Sequence, residues 1–253
     1  MKNLLLLLFI VSCLKSFTQT DTIFYGQKHD TVASLSLATR YETVTRSAAS
    51  PNEELRRKYT KEGQLIAEDY YYINRGAARL PESKDKERNG TSRMWYNSGK
   101  LKREIVFKND KMNGTCKTYW ENGQLKRDDI YEDGKLVSGK CYTSTGKNTP
   151  HYNLEIMPEF IGGVGEMMKY VQQNVHYPEK SKKNNIKGKV FVKFVVEVNG
   201  SISSVEILKG VNEEIDAEAL RVVQSMPNWN PGFDDGTPIR VYFNLPIVFR
   251  LNK

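Results

Sequence analysis

Ile239-Arg-Val-Tyr-Phe-Asn-Leu-Pro-Ile-Val-Phe-Arg-Leu251 decides how the rest of the chain is read. Ile239, Val241, Phe243, Leu245, Ile247, Phe249 and Leu251 fall on one face, and Arg240, Tyr242, Asn244, Val248 and Arg250 on the other. A period of two belongs to a strand. Pro246 in its middle has no N–H to give a ladder, so the strand is expected at the edge of a sheet. An open edge carries unpaired backbone donors and acceptors, which most proteins hide and a minority use to capture an extended segment of another chain.

Upstream, Lys189-Val-Phe-Val-Lys-Phe-Val-Val-Glu-Val198 alternates in the same way, with Val190, Val192, Phe194, Val196 and Val198 inward. Asn199-Gly200 reads as the two-residue turn that tight hairpins prefer, and Ile202 to Leu208 returns. Val164, Met167, Met168, Val171 and Val175 form a helical stripe that stops at Tyr177-Pro178, and a basic loop, Lys180 to Lys189, follows. A second helix starts after the N-cap Asn212, with Glu213 and Glu214 in its first turn; it turns Ile215, Ala219, Val222, Val223 and Met226 inward and stops at Pro227. These elements predict an α+β domain, two helices on a three-stranded antiparallel sheet.

The middle of the chain is repetitive. Tyr59-Thr-Lys-Glu-Gly63-Gln-Leu65, Trp95-Tyr-Asn-Ser-Gly99-Lys-Leu101 and Tyr119-Trp-Glu-Asn-Gly123-Gln-Leu125 share an aromatic four residues before a glycine and a leucine two after it. A degenerate copy closes at Gly146, and the glycines are 36, 24 and 23 residues apart, so the period is about 24 with one insertion. Strand, glycine turn, strand is a hairpin, and hairpins at fixed spacing build an elongated all-β sheet. Turn glycines such as those of Asn122-Gly123 and Asp133-Gly134 supply positive φ. The pattern resembles the MORN-variant repeats over roughly residues 55 to 147.

A second resemblance covers residues 157 to 251. Pro158-Glu-Phe-Ile-Gly-Gly163, Tyr177-Pro178, Gly188-Lys-Val190, Asn199-Gly200, Asp216-Ala-Glu-Ala-Leu220, Met226-Pro-Asn-Trp229-Asn-Pro231-Gly and Leu245-Pro246-Ile-Val-Phe249 look like the TonB C-terminal domain, in the variant common in Bacteroidetes-type envelopes. The resemblance implies a periplasmic module that grips an extended segment of an outer-membrane TonB-dependent transporter by adding it as a strand beside its own last strand. Energy-transducing members also carry an inner-membrane helix and a Pro-rich spacer. Here the repeats occupy that place, so the resemblance supports the grip more than the energy transduction.

The domain plan is therefore a signal peptide over 1–18, a lead-in over 19–54 whose Tyr25 to Leu37 part adds a strand or two, hairpin repeats over 55–149, and the TonB-like domain over 150–253, entered through a linker from Thr149-Pro150 to Met157-Pro158. Export is read from Met-Lys-Asn, the apolar run Leu4 to Val11, and small residues Ser16 and Thr18 before Gln19. The run is shorter than the roughly 20 residues a bilayer span needs. Ile10-Val11-Ser12-Cys13 is also lipobox-like; lipidation at Cys13 would give membrane contact, and a retained anchor is the third alternative.

Lys and Arg total 38 against 30 Asp and Glu, a formal charge of +8. The basic residues are scattered among acids rather than banded, which argues against nucleic acid as a partner. Cys116 and Cys141 each follow a repeat glycine by two residues; equivalent positions two strands apart lie on the order of 9 to 10 Å from each other, beyond the roughly 4.4 to 6.8 Å of a disulfide, so free thiols are expected.

No catalytic, cofactor or metal constellation emerges. Gly134-Lys-Leu-Val-Ser-Gly139-Lys140-Cys141 approaches a Walker A loop but ends in Cys and precedes no helix. His29, His151 and His176 lack metal-ligand spacing, and the pairs Asp128-Asp129 and Asp234-Asp235 are expected to be solvated beside turns. Arg240, Tyr242, Asn244, Val248 and Arg250 are the candidate peptide-binding positions, with the arginines suited to an acidic segment. Trp229 and Phe233 either pack on the sheet or line a groove beside it. A non-catalytic envelope binder is the leading expectation, a MORN-type scaffold or envelope-surface binder with an accessory TonB-like domain the alternative. Exposed edges also permit a homodimer.

Overall fold

The computed structural model describes residues 18–26, 31–34, 36–47, 52–73 and 86–251. The leader with Cys13, and His29, lie outside them. The chain divides into two compact units, Met1–His151 and Tyr152–Lys253.

The first unit is a single antiparallel sheet built from β1 (Thr18–Tyr25), β2 (Thr31–Val32), β3 (Arg40–Ser47), β4 (Glu53–Thr60), β5 (Leu65–Ile73), β6 (Lys86–Arg88), β7 (Gly90–Trp95), β8 (Leu101–Lys108), β9 (Lys111–Tyr119), β10 (Leu125–Glu132), β11 (Lys135–Tyr142) and β12 (Asn148–Thr149). The order is β12-β11-β10-β9-β8-β7-β5-β4-β3-β1-β2, with β6 also on β5. Neighbours in sequence are mostly neighbours in space, as an array of hairpins requires. The lead-in is part of this sheet: its strands are β1, β2 and β3, the longer two on either side of the expected Tyr25–Leu37 stretch rather than inside it.

The repeat is written in the turns. At each repeat glycine, two backbone bonds close a three-residue loop, as in Trp120 N–H to Gln124 O and Gly123 N–H to Trp120 O, both 2.8 Å. Gly123 sits there at φ +90°, left-handed backbone that glycine adopts at no steric cost. The opposite ends of the hairpins use two-residue turns with both φ positive, Asn109-Asp110 and Asp133-Gly134. Side chains then tie each loop to the next. Tyr96 Oη donates to Tyr119 O at 2.7 Å, and one repeat on Trp120 Nε1 donates to Tyr142 O at 3.0 Å.

The scattered charges form a row across the strands. Arg57, Glu68, Arg93, Glu104, Lys117, Asp128 and Lys140 are successive cross-strand partners, one each from β4, β5 and β7 to β11, and their signs alternate without exception. Arg57–Glu68 and Arg93–Glu104 close at 2.7 Å, Arg93–Glu68 at 3.4 Å and Lys117–Asp128 at 3.8 Å. Opposite charges directly across an antiparallel pair contribute about 0.2–1 kcal/mol, and like charges would oppose pairing by a similar amount. The row therefore favours one register over its slips.

The other face of the sheet buries ions. Glu54 is held by Arg46 at 2.8 Å, Arg56 at 2.5 Å and Lys86 at 3.1 Å. Burial pushes its carboxyl up, but the Arg56 contact, with Lys86 and Arg46, outweighs that and holds it below the usual carboxylate range. Asp129 corrects an expectation: it lies mid-strand with no solvent exposure, 2.6 Å from the equally buried Arg127, and Asp235 is buried too. His151 reaches Asp129 at 3.0 Å across Gly139, where a Cβ would fall 2.3 Å from the Asp129 carboxylate. Burial, then the charge of Asp129, pushes Tyr131 up to about 12. Cys116 and Cys141 are buried on β9 and β11, separated by β10 and not joined in a disulfide.

In the second unit, β13 (Glu155–Ile156), β16 (Gly232–Asp234) and β17 (Thr237–Ile239) make one small sheet. The main sheet has the order β15 (Ile202–Lys209), β14 (Gly188–Val196), β18 (Val241–Phe249). With it go α1 (Gly163–Asn174), α2 (Glu179–Lys183) and α3 (Glu213–Gln224). The expected α+β domain is present, with α2 inside the segment read as a basic loop. Asn212 caps α3 by accepting from Ile215 N–H at 3.0 Å, and Ile215, Ala219, Val222 and Val223 are fully buried against Val190, Val192, Phe194, Val196, Leu245, Ile247 and Phe249. Val198 is half exposed because the Asn199-Gly200 turn is a three-residue loop, Val198 to Gly200, closed like the repeat loops. Gly200 has φ +82°, and a Cβ there would lie 2.0 Å from the Trp229 carbonyl oxygen, whose amide bonds Gly200 O at 2.8 Å.

Gly200→Ala is expected to destabilise the second unit by about 3 kcal/mol, combining positive-φ strain with a backbone clash; amide exchange in β14 and β15 of the full chain reads it. Asp129→Asn, which removes a negative charge 2.6 Å from the buried Arg127, is expected to cost the first unit about 3 kcal/mol. Denaturant unfolding that leaves the β9–β11 amides as protected as in the parent would contradict that.

Candidate functional site

The last strand begins at Val241. Thr237–Ile239 belongs to the small sheet, and Arg240 occupies the junction, so the stretch read as one strand is divided between two sheets. From Val241 to Phe249 the alternation is kept: Leu245, Ile247 and Phe249 are buried, and Tyr242, Asn244, Pro246 and Val248 are exposed on the face turned away from the core.

β18 pairs with β14 through nine consecutive residues, Val241 to Phe249 against Val196 to Gly188, and with no other strand among the described residues. Pro246 stands opposite Phe191 in that unbroken register. A proline fits there only when the side of its missing N–H faces away from β14. Because both backbone groups of a residue point the same way in an antiparallel strand, the N–H and C=O of Tyr242, Asn244 and Val248 face outward as well. The outer edge is thus a row of backbone donors and acceptors with one donor absent in the middle.

A groove of about 630 Å³ runs beside this edge. Met168, Val171 and Gln172 of α1, with Val175 and Tyr177 just after it, line one side, and Leu245, Pro246, Val248, Phe249 and Arg250 the other. The helical stripe read from the sequence is here divided: Met167 is buried, whereas Met168 is 58% and Val164 68% exposed. Met168, at the centre of that stripe, belongs to the groove rather than the core. An apolar residue on a helical stripe whose neighbours already fill the core is the sequence signal that marks such a position.

The expected site residues fall in different places. Tyr242, Asn244 and Val248 lie on β18, and Arg240 and Arg250 flank it. Lys193 lies 4.9 Å above the Tyr242 ring. Arg240 is engaged within the fold: it clamps Glu197 with contacts of 2.7 and 2.9 Å, and this bond, with a second from Ser203, holds the Glu197 carboxyl below its usual range. Arg250 makes no ion pair among the described residues and borders the groove. Trp229 is not a groove residue. It is 3% exposed, wedged edge-on between Phe160, Phe194 and Phe243 with centroids 4.9 to 5.6 Å away, because its loop crosses the open end of the sheet at Gly200. Phe233 sits in β16 opposite Ile156 and Pro238, in the small sheet.

A three-stranded antiparallel sheet with helices on one face and an uncovered third strand defines a small α+β module. Residues 173–251 match the family model described as the Gram-negative bacterial TonB protein C-terminal, and residues 88–109 and 112–133 match the MORN repeat variant. The TonB match begins near the end of α1, and the MORN matches cover the two central hairpins. Two solved structures are similar: NMR solution structures of the Helicobacter pylori TonB C-terminal domain. Residues 179–285 of that protein are 18% identical, covering 36% of this chain and 81% of that one, with a TM-score of 0.29. Residues 194–285 are 19% identical, covering 36% and 95%, with the same TM-score of 0.29. No curated protein matches the chain. Among the described residues no helix is long and apolar enough to cross a membrane.

Pro246 also guards the edge, since two copies pairing β18 to β18 would each meet the missing donor. Pro246→Val restores it and is expected to leave the fold intact while raising self-association at micromolar concentration. Sedimentation velocity reads the change; an unchanged monomer fraction, or loss of β18 pairing, would contradict the outward orientation.

Proposed function

We propose that the C-terminal unit binds an extended segment of an outer-membrane TonB-dependent transporter, or of another envelope protein, by adding it as a strand to the outer edge of β18. The observation that carries this reading is that, among the described residues, β18 pairs on one side only, while its other side opens onto the groove against α1. The role is binding rather than catalysis, and needs no cofactor. In this reading the chain is exported, with the leader either removed near Thr18 or lipidated at Cys13, and the repeats act as a spacer or a second contact surface.

The added strand lays alternate side chains into the groove against Met168, Val171 and Val175, and the others beside Tyr242, Asn244 and Val248. Arg250 selects an acidic residue at one end; Arg240, already paired to Glu197, contributes less. Each new backbone bond contributes about 0.5–1.5 kcal/mol, and ordering the peptide costs roughly 1 kcal/mol per residue. The balance is modest affinity, suited to grip and release.

Titration of the full chain with synthetic N-terminal segments of outer-membrane transporters tests the proposal. Asn244→Pro removes an outward donor without touching the β14 ladder, and is expected to weaken binding about tenfold with an unchanged melting curve. Arg250→Glu is expected to weaken acidic segments selectively. Binding indifferent to both substitutions, or kept after deletion of residues 150–253, would overturn the reading and favour the repeats as the binding surface.

A further inference from the structure

A second concavity lies in the first unit, where β5 passes from β7 to β6. It has a volume of about 660 Å³ and is bounded by Tyr70 and Tyr72 together with Glu53, Asn89, Thr91 and Arg93. The Tyr70 and Tyr72 side chains are two residues apart on one face of β5, about 7 Å along the strand, and are 36% and 42% exposed. Tyrosines so placed offer apolar ring faces with polar tips to a ligand, not to the protein interior.

The chemistry of the rim narrows the ligand. An anion needs uncompensated cations, yet the guanidinium of Arg93 is held by Glu104 at 2.7 Å and Glu68 at 3.4 Å, and Glu53 adds a negative charge. A peptide bound by strand addition needs a free strand edge, yet β5 is paired on both sides, to β4 and to β6 and β7. A lipophilic ligand needs a mostly apolar enclosure, whereas Glu53, Asn89, Thr91 and Arg93 present carboxylate, amide, hydroxyl and guanidinium groups. What remains is a neutral ring compound with an apolar C–H face and hydroxyls around its rim. We propose that this pocket is a carbohydrate-binding site, in which Tyr70 and Tyr72 stack against sugar rings while Glu53, Asn89 and Thr91 bond their hydroxyls. Its volume suits one or two sugar residues.

Saturation-transfer NMR of the full chain with cellobiose, maltose, lactose and N,N′-diacetylchitobiose tests the assignment. At least one disaccharide is expected to receive saturation, strongest at the C–H protons of one ring face. Tyr72→Ala is expected to weaken that ligand about tenfold. Thr91→Arg, which fills the pocket from a partly buried position on β7, serves as the second variant and is expected to abolish the transfer. No transfer to any of the four sugars, or transfer that survives Thr91→Arg, would overturn the proposal.

Discussion

The amide hydrogen that Pro246 lacks constrains the whole C-terminal unit. Were β18 flanked by strands on both sides, one neighbour would face a carbonyl with no donor, at a cost of about 1–3 kcal/mol for a buried group. The strand therefore takes the outside position, and the sheet stops at three strands with β14 in the middle. From this follow the burial of Val190, Val192, Phe194 and Val196 on β14, the packing of α3 across them, and the placing of α1 beside an edge it does not cover. An open edge and a stable core thus come from one residue, whose ring is tolerated where its missing donor costs least.

The first unit solves a different problem with different means. A long single sheet has little apolar core, and register errors are its main hazard because a slip of one residue exchanges its faces. Here register is fixed three times over: by glycine loops at one end of the hairpins, by side-chain bonds from one loop to the next, and by a row of alternating charges across seven strands. Buried ions such as Glu54 and the Arg127–Asp129–His151 group belong to the same economy of means. Pairs of this kind add little net stability, yet make mispaired arrangements expensive because each would strand a charge.

Much of this was legible in the residues. Strict alternation from Val241 to Phe249 gave the strand and its faces, the Asn212 cap and the Ile215–Val223 spacing gave α3, and the recurring aromatic, glycine and leucine gave the hairpins. What escaped reading has physical reasons. Asp129 looked solvated because sequence shows a carboxylate near a turn and not that Arg127 and His151 close on it at 2.6 and 3.0 Å. The Lys, Arg, Glu and Asp of the repeats looked like an ordinary mixed surface, since their alternation runs across strands, from Arg57 to Glu68 or from Glu104 to Lys117, and not between neighbours along the chain. Asn109-Asp110 carries a turn without glycine, so no punctuation marked it. Met168 and Trp229 exchanged roles: a helical stripe does not say where the core ends, and an aromatic in a loop does not say that the loop closes over the sheet.

Amide hydrogen exchange of β18, measured with and without a transporter-derived segment, tests the central claim most directly. The account predicts that the outward amides of Tyr242, Asn244 and Val248 exchange quickly in the free chain and become protected when the segment is added, while the inward amides of Phe243, Leu245 and Ile247 are protected throughout. Outward amides already slow in the free chain, or a bound segment that protects other strands and leaves these three unchanged, would contradict it.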